Sequence, residues 1–233
     1  MVKKVVAVIS GGPDSITYAA LWRDRGYEVH PIAFDYGQKG RKEIRVMKSI
    51  SGRLGFLKPV VLDVSSMASL WRRTQLTDPG VKVGDTYSPS VVVPLRNGVF
   101  LMIASAYALS IGASRVVYGA HMDDIAGRPG DGRPMYPDCT PEFACSLEEA
   151  IARGHFEDRE KLEIWSPARE GMTKGDLLRQ GWKVLGDLLF ETWSCYLSGR
   201  WHCGRCESCR NRKKAFAAAG LTDKTLYASE RSY

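Results

Sequence analysis

The sequence predicts an α/β fold, a doubly wound parallel sheet carrying a small zinc-binding lobe at its C-terminal end. Three observations carry that expectation. β-Branched runs alternate with helix-length segments from Val5 to Tyr118. A glycine-rich turn, Ser10-Gly11-Gly12-Pro13-Asp14-Ser15, closes the first of those runs. Four cysteines crowd into the fifteen residues from Cys195 to Cys209.

The elements follow in order. Val5–Ile9 reads as a strand and Ser15–Arg25 as a helix. Glu28–Phe34 is the second predicted strand, Gly40–Leu54 a helix and Pro59–Asp63 the third strand. Pro94–Ile111 predicts a strongly apolar helix, and Arg115–Tyr118 a fourth strand. Strands alternating with helices in this way build a parallel sheet through right-handed crossovers. Ligands of such sheets sit beyond the carboxyl ends of the strands. Ser10–Ser15, Asp35–Gln38 and Gly119–Asp124 all follow predicted strand ends, so they should converge on one cleft. Two stretches break the rhythm: 65–91, and 126–137, which holds three glycines, three prolines and two arginines. Loops of that length in a compact domain are commonly functional or disordered. The expected division is an α/β domain over 1–190 and a C-terminal lobe over 191–233, packed on it.

A chain of 233 residues with 44% hydrophobic side chains can bury a substantial core. No apolar run approaches the ~18 residues that cross a bilayer. The chain opens directly on a strand that Gly11-Gly12 interrupts, unlike a signal peptide, so a cytoplasmic location is expected. The net charge is +7, and its placement matters: six basic residues stand against Glu207 alone between Cys195 and Lys214. Such a face can attract nucleic-acid phosphate. It can equally offset a zinc ion held by four thiolates, which carries net negative charge. Compensation is the favoured reading, and direct RNA binding is not expected.

The turn at 10–15 points to phosphate. Gly11 and Gly12 let the backbone approach a bound group closely. The helix N-terminus behind them offers free N–H groups and the positive end of a dipole. Ser10 and Ser15 add hydroxyl donors, whereas Asp14 suits holding the loop or a metal ion. The absence of Gly-Lys-Ser/Thr excludes a Walker A loop. An ordinary strand-to-helix turn would use the same residue types.

The cysteines follow C-x7-C-x2-C-x2-C through Cys195, Cys203, Cys206 and Cys209. Four thiolates in one short lobe suit tetrahedral zinc, one ion per chain, with no open coordination position and hence a structural role. An iron–sulfur cluster is the open alternative. Disulfides do not fit a reducing compartment.

Other constellations are weaker alone. Asp35-Tyr36-Gly37-Gln38 can be a plain turn. Val93-Pro94-Leu95-Arg96-Asn97 opens the apolar helix, so Arg96 is placed to clamp phosphate or carboxylate, while Asn97 can simply cap the helix. Cys139, in Tyr136-Pro137-Asp138-Cys139, reads as a core thiol.

Together these stretches are identified with a family. The Ser10–Ser15 loop resembles the pyrophosphate loop of the N-type ATP pyrophosphatases. With Asp35–Gln38, Val93–Asn97, Tyr136–Phe143, Thr192-Trp193-Ser194-Cys195-Tyr196 and Cys203–Cys209 in register, the chain resembles the 7-cyano-7-deazaguanine synthase family, QueC. The match runs over about 5–216. It departs at Leu95, where most members carry glycine, and at Arg128–Met135, which displaces the usual Ser-Gly. The resemblance implies an ATP-dependent ligase. Its expected reaction takes 7-carboxy-7-deazaguanine and ammonia, through an adenylated carboxylate, to the nitrile precursor of queuosine and archaeosine. A relative with a different deazapurine or acceptor is the alternative, as is a transfer-RNA-modifying enzyme of the same superfamily. The implied ATP site, with Mg²⁺, comprises Val8, Ile9, Ser10, Gly11, Gly12, Pro13, Asp14, Ser15, Phe34 and Asn97. The expected catalytic groups are Asp14, Ser15 and Arg96. Tyr36, Gln38, Asp123, Asp124 and Asp138 are expected at the deazapurine. A homodimer acting on small molecules, with no membrane partner, completes the expectation.

Overall fold

The computed structural model describes residues 2–128, 130–156 and 161–230. Five parallel strands form its centre in the order β3-β2-β1-β4-β5. They are β1 (Lys4–Val8), β2 (Glu28–Asp35), β3 (Val60–Asp63), β4 (Arg115–Val117) and β5 (Glu163–Trp165). The chain winds outward from β1 to β3, then returns to the other side of β1 as β4. The strand order therefore reverses between β1 and β4, the point where such sheets open a crevice at their carboxyl ends.

Side chains of β1 alternate between two apolar layers. Val5 and Ala7 enter one with α1 (Pro13–Asp24), α2 (Lys42–Arg53), α5 (Lys174–Leu185) and α7 (Glu207–Ala219). Val6 enters the other with α3 (Arg96–Ile111) and α4 (Pro141–Gly154). Both faces of the sheet are thus covered, as a parallel sheet requires. The stretch from Pro89 to Ile111 is apolar enough to be compared with a membrane span. Its α-helix has only 16 residues, and it turns Phe100, Leu101, Ala104 and Ala108 into the core.

Residues 191–233 are built into this frame as far as they are described. Ala215, Phe216 and Ala219 of α7 lie in the same core layer as α1 and α5. Arg212 is completely buried. Its five N–H donors reach Thr225 and Thr192 at 2.9 Å, Ser194 at 3.0 Å, and the Leu189 and Phe190 carbonyls at 3.2 and 3.4 Å. With every donor satisfied, this arginine is a rivet of the core rather than part of a basic surface.

Strands β1 to β4 match the expected segments within a residue or two. β5 is not among the expected strands. It has three residues and takes its identity from pairing with β4.

Candidate active site at the switch point

The turn after β1 is held open from both sides. Gly11 has φ +92°, a left-handed conformation suited to glycine. A Cβ there would stand 2.3 Å from the carbonyl oxygen of Glu43. The Gly11 carbonyl accepts the Trp193 N–H at 2.8 Å, which ties the C-terminal segment to the loop. Inside the turn the Ser10 N–H donates to Ser15 Oγ at 3.2 Å, and the Gly12 N–H to Ser10 Oγ at 3.4 Å. α1 then starts on extended Gly12 and Pro13 with no side-chain cap. Pro13, Asp14 and Ser15 of its first turn line a cavity of about 280 Å³. Gly119, after β4, approaches so closely that a Cβ would lie 2.7 Å from Ser15 N.

Val8, Ile9, Ser10, Gly12, Pro13, Asp14, Ser15, Phe34, Tyr36, Gln38, Arg96, Asn97, Asp124 and Asp138 line this one cavity. Gly11 supplies the turn behind it. Asp123 stands outside the lining; its carboxylate accepts the Lys174 N–H at 2.6 Å.

Several side chains have fixed employment. Asp138 accepts the backbone N–H of Asn97 at 3.0 Å and its Nδ2 at 3.3 Å, so it caps α3 from another segment. Asn97 is not the cap residue. That position is Leu95, at φ +52° and 65% exposed. Left-handed backbone at Leu95 is a conformation that glycine adopts without the steric penalty a Cβ brings. The Asn97 amide also reaches Cys139 Sγ at 3.2 Å. Burial and the neighbouring Asp124 and Asp138 push that thiol well above its ordinary range, so Cys139 is inert as a nucleophile. Arg96 donates to Tyr36 OH at 3.3 Å and lies over its ring. Burial works against its charge, but Tyr36 and Asp138 keep the guanidinium fully protonated. Gln38 is locked by the Tyr36 N–H at 2.9 Å and by its own bond to the Phe34 carbonyl at 3.2 Å. Phe34 stacks on Phe100 with ring centroids 4.1 Å apart.

The structure adds residues that the motif reading omits. Lys174, at the start of α5, points its ammonium into the cavity and donates to Asp14 Oδ2 at 2.8 Å. Burial alone would raise the Asp14 carboxyl; Lys174 and His121 instead hold it below its usual value. Burial would likewise lower Lys174, and Asp14 with Asp124 hold it up. Asp124 closes a reciprocal cap with His121 and accepts its N–H at 3.1 Å. Burial, opposed by His121 and Lys174, leaves the Asp124 carboxyl raised. Glu43 also lines the cavity, with its carboxyl pushed up to about 7 by burial.

The unusual Arg128–Met135 segment folds back through a Gly127–Pro134 bridge, with Arg128 paired to Asp131. Pro129 within it lies outside the described residues.

The four cysteines do come together. Their sulfurs lie within 4.8 Å of one another, and Cys203 Sγ and Cys209 Sγ are 3.8 Å apart. The corners of a tetrahedron with ~2.3 Å metal–sulfur bonds are about 3.8 Å apart. Cys195 Sγ accepts the Leu197 and Cys203 N–H groups at 3.4 Å, and Cys203 Sγ accepts the Cys206 N–H at 3.3 Å. These N–H donors stabilise thiolates, so the donor set fits a metal ion.

A parallel sheet with an uncapped glycine turn at its switch point, flanked by half-buried cations, makes an α/β fold with a candidate anion-binding cleft. Among solved structures, a 4-thiouridine synthetase–RNA complex with bound ATP shares the fold. Its TM-score is 0.51 at 14% identity, over 94% of this chain and 50% of that one. The family model for queuosine biosynthesis protein QueC matches residues 4–220, and the chain belongs to that family. Its relatives include the 7-cyano-7-deazaguanine synthase of Psychromonas ingrahamii, 37% identical over 97% of this chain and 99% of the relative. The enzyme of that name from Caldicellulosiruptor bescii is 38% identical over 97% of this chain and 98% of the relative. The family resemblance read from the sequence motifs is thereby borne out.

Proposed function

We propose that the chain converts 7-carboxy-7-deazaguanine to 7-cyano-7-deazaguanine, consuming ATP and ammonia. The observation that carries this reading is the cavity that joins a glycine turn to two half-buried cations, Arg96 and Lys174, in a chain of this family. A carboxylate is a poor electrophile. Transfer of AMP to it, with pyrophosphate departing, creates a leaving group that ammonia displaces. A second activation of the resulting amide dehydrates it to the nitrile. The protein's part is positioning and charge stabilisation.

In this reading Ser10–Ser15 and the first turn of α1 hold the phosphates. Lys174 neutralises them from the α5 side, while Asp14 holds its ammonium. Arg96 clamps the carboxylate or α-phosphate. Mg²⁺ accompanies ATP. Asp124 and Asp138 both line the cavity and are the carboxyls available to read the N–H edge of the deazapurine. A zinc ion held by Cys195, Cys203, Cys206 and Cys209 stiffens the wall formed by Trp193–Tyr196. The compact sulfur spacing favours one ion over a cubane cluster, which holds its thiolates farther apart.

The test is incubation with 7-carboxy-7-deazaguanine, an ammonium salt and MgATP, followed by mass spectrometry and nucleotide analysis. Nitrile, AMP and pyrophosphate are expected. Unconsumed carboxylate would overturn the substrate, and ADP with phosphate as products would overturn the adenylation step.

A further inference from the structure

We propose that Glu43 is the general base that removes protons from the substrate nitrogen in both halves of this reaction, an inference that rests on the reading above. A nitrile nitrogen carries no hydrogen, so ammonia must surrender every one of its hydrogens at a single carbon. In the first half nitrogen forms the C–N bond. The C–O bond to AMP breaks with its electron pair leaving on AMP, and one N–H proton is lost. In the second half the amide oxygen attacks the α-phosphorus and pyrophosphate leaves. The C–O bond then breaks, AMP carries that oxygen away, and the remaining N–H protons are lost. Both halves need a proton acceptor beside the reacting carbon.

Glu43 is placed for it. It lines the same cavity as Ser10, Gly12, Asp14 and Ser15, and its backbone carbonyl lies 2.3 Å from where a Cβ of Gly11 would be. Its Oε1 accepts the Gln38 amide at 2.8 Å. Its Oε2 takes no hydrogen bond among the described residues. One anchored and one free oxygen suit a base, whereas reading a guanine edge would engage both. No cation forms a salt bridge with Glu43 among the described residues. Arg96, Asp35 and Tyr36 are the charged or titratable neighbours that act on it; Asp35 is itself paired with Arg41, and Tyr36 with Arg96. Burial raises the carboxyl to about 7, so it exchanges protons near neutrality.

Glu43→Gln keeps the acceptor for Gln38 and removes the base. Nitrile formation should fall about 100-fold or more, the range of general-base contributions. Exchange of labelled pyrophosphate into ATP, driven by the deazapurine carboxylate, involves no nitrogen proton and should stay within about 3-fold of wild type. At constant free ammonia, the acidic limb of the wild-type pH–rate profile should disappear in the variant. Hydroxylamine, uncharged at neutral pH and a stronger nucleophile, should restore turnover as hydroxamate. Nitrile formation at the wild-type rate in Glu43→Gln would overturn the role of Glu43 alone. An equal loss of pyrophosphate exchange would make the residue a binding group and overturn it too. A wild-type enzyme that forms neither adenylate nor nitrile would instead overturn the reaction itself.

Discussion

Lys174→Met is the sharpest probe of the charge pair beneath the glycine turn. The Lys174 and Asp14 side chains are 15% and 20% exposed and 2.8 Å apart. Asp14 Oδ1 is buried with no hydrogen-bond partner, so the ammonium is the main compensation for that carboxylate. Removing one partner of a buried pair costs about 3–5 kcal/mol, and the residual solvent contact favours the lower end, about 3. For a chain of this size that is a fall of about 6–12 °C in melting temperature. Asp14→Asn with Lys174→Met removes both charges, and its loss should be smaller than the sum of the single losses by about 2 kcal/mol. The pH dependence follows from the two directions. The Asp14 carboxyl is held below its unfolded value of 3.8, so its contribution is present above that value and lost as pH falls through the lower folded one. Lys174 is held above its unfolded value of 10.5, so its contribution is present below that pH and lost as pH rises through the higher folded one. The coupling should therefore be full at neutral pH and vanish in acid. Urea denaturation of the four proteins at neutral and acid pH measures it. Single losses that add to the double within about 0.5 kcal/mol would refute the reasoning.

Other consequences are directly measurable. Leu95→Gly relieves a left-handed residue whose side chain is exposed; after the added unfolded-state entropy, a gain of about 0.5–1 kcal/mol is expected in thermal melts, and a loss would refute the strain. Gly119→Ala drives a Cβ to 2.7 Å from Ser15 N. It should cost about 1–3 kcal/mol of stability and weaken ATP binding in calorimetry, with unchanged affinity counting against the close approach. Cys206→Ser should leave freshly purified protein without a full equivalent of zinc by elemental analysis. Because the Trp193 N–H holds the Gly11 carbonyl, ATP affinity should fall with the metal; zinc loss at constant ATP affinity would uncouple the two.

Legibility in the sequence tracked the range of the forces involved. β1 to β4 and their turns are spelled out by local chemistry: β-branched runs, then glycine where the backbone must approach Glu43. The cysteine spacing is equally local, and the sulfurs do converge. β5 was illegible because Glu-Ile-Trp is too short for a pattern; its register comes from β4, reinforced by the Arg115–Glu163 pair at 3.0 Å. α5 did carry a signal, the reciprocal cap of Thr173 and Asp176 ahead of Leu177, Leu178 and Leu185. Lys174 carried none, because nothing local separates it from the other basic residues. Its meaning is created by Asp14, 160 positions away. Glu43 reads as the polar face of an amphipathic helix until the cavity closes around it.

Arg212 makes the same point about charge. Counted along the chain, it belongs to a basic run beside the cysteines that invites a nucleic-acid reading. In space it is wholly buried, Arg210 pairs with Asp85 and Lys213 pairs with Glu230. Of the six basic residues, one is thereby buried and two are neutralised by surface pairs. The Arg212 guanidinium instead fastens α7 to Leu189, Phe190, Thr192 and Ser194, the residues flanking Trp193. Trp193 in turn holds the Gly11 carbonyl. The cysteine lobe is therefore tied to the glycine turn through a backbone contact. Loosening Arg212 should disturb ATP binding through these backbone contacts.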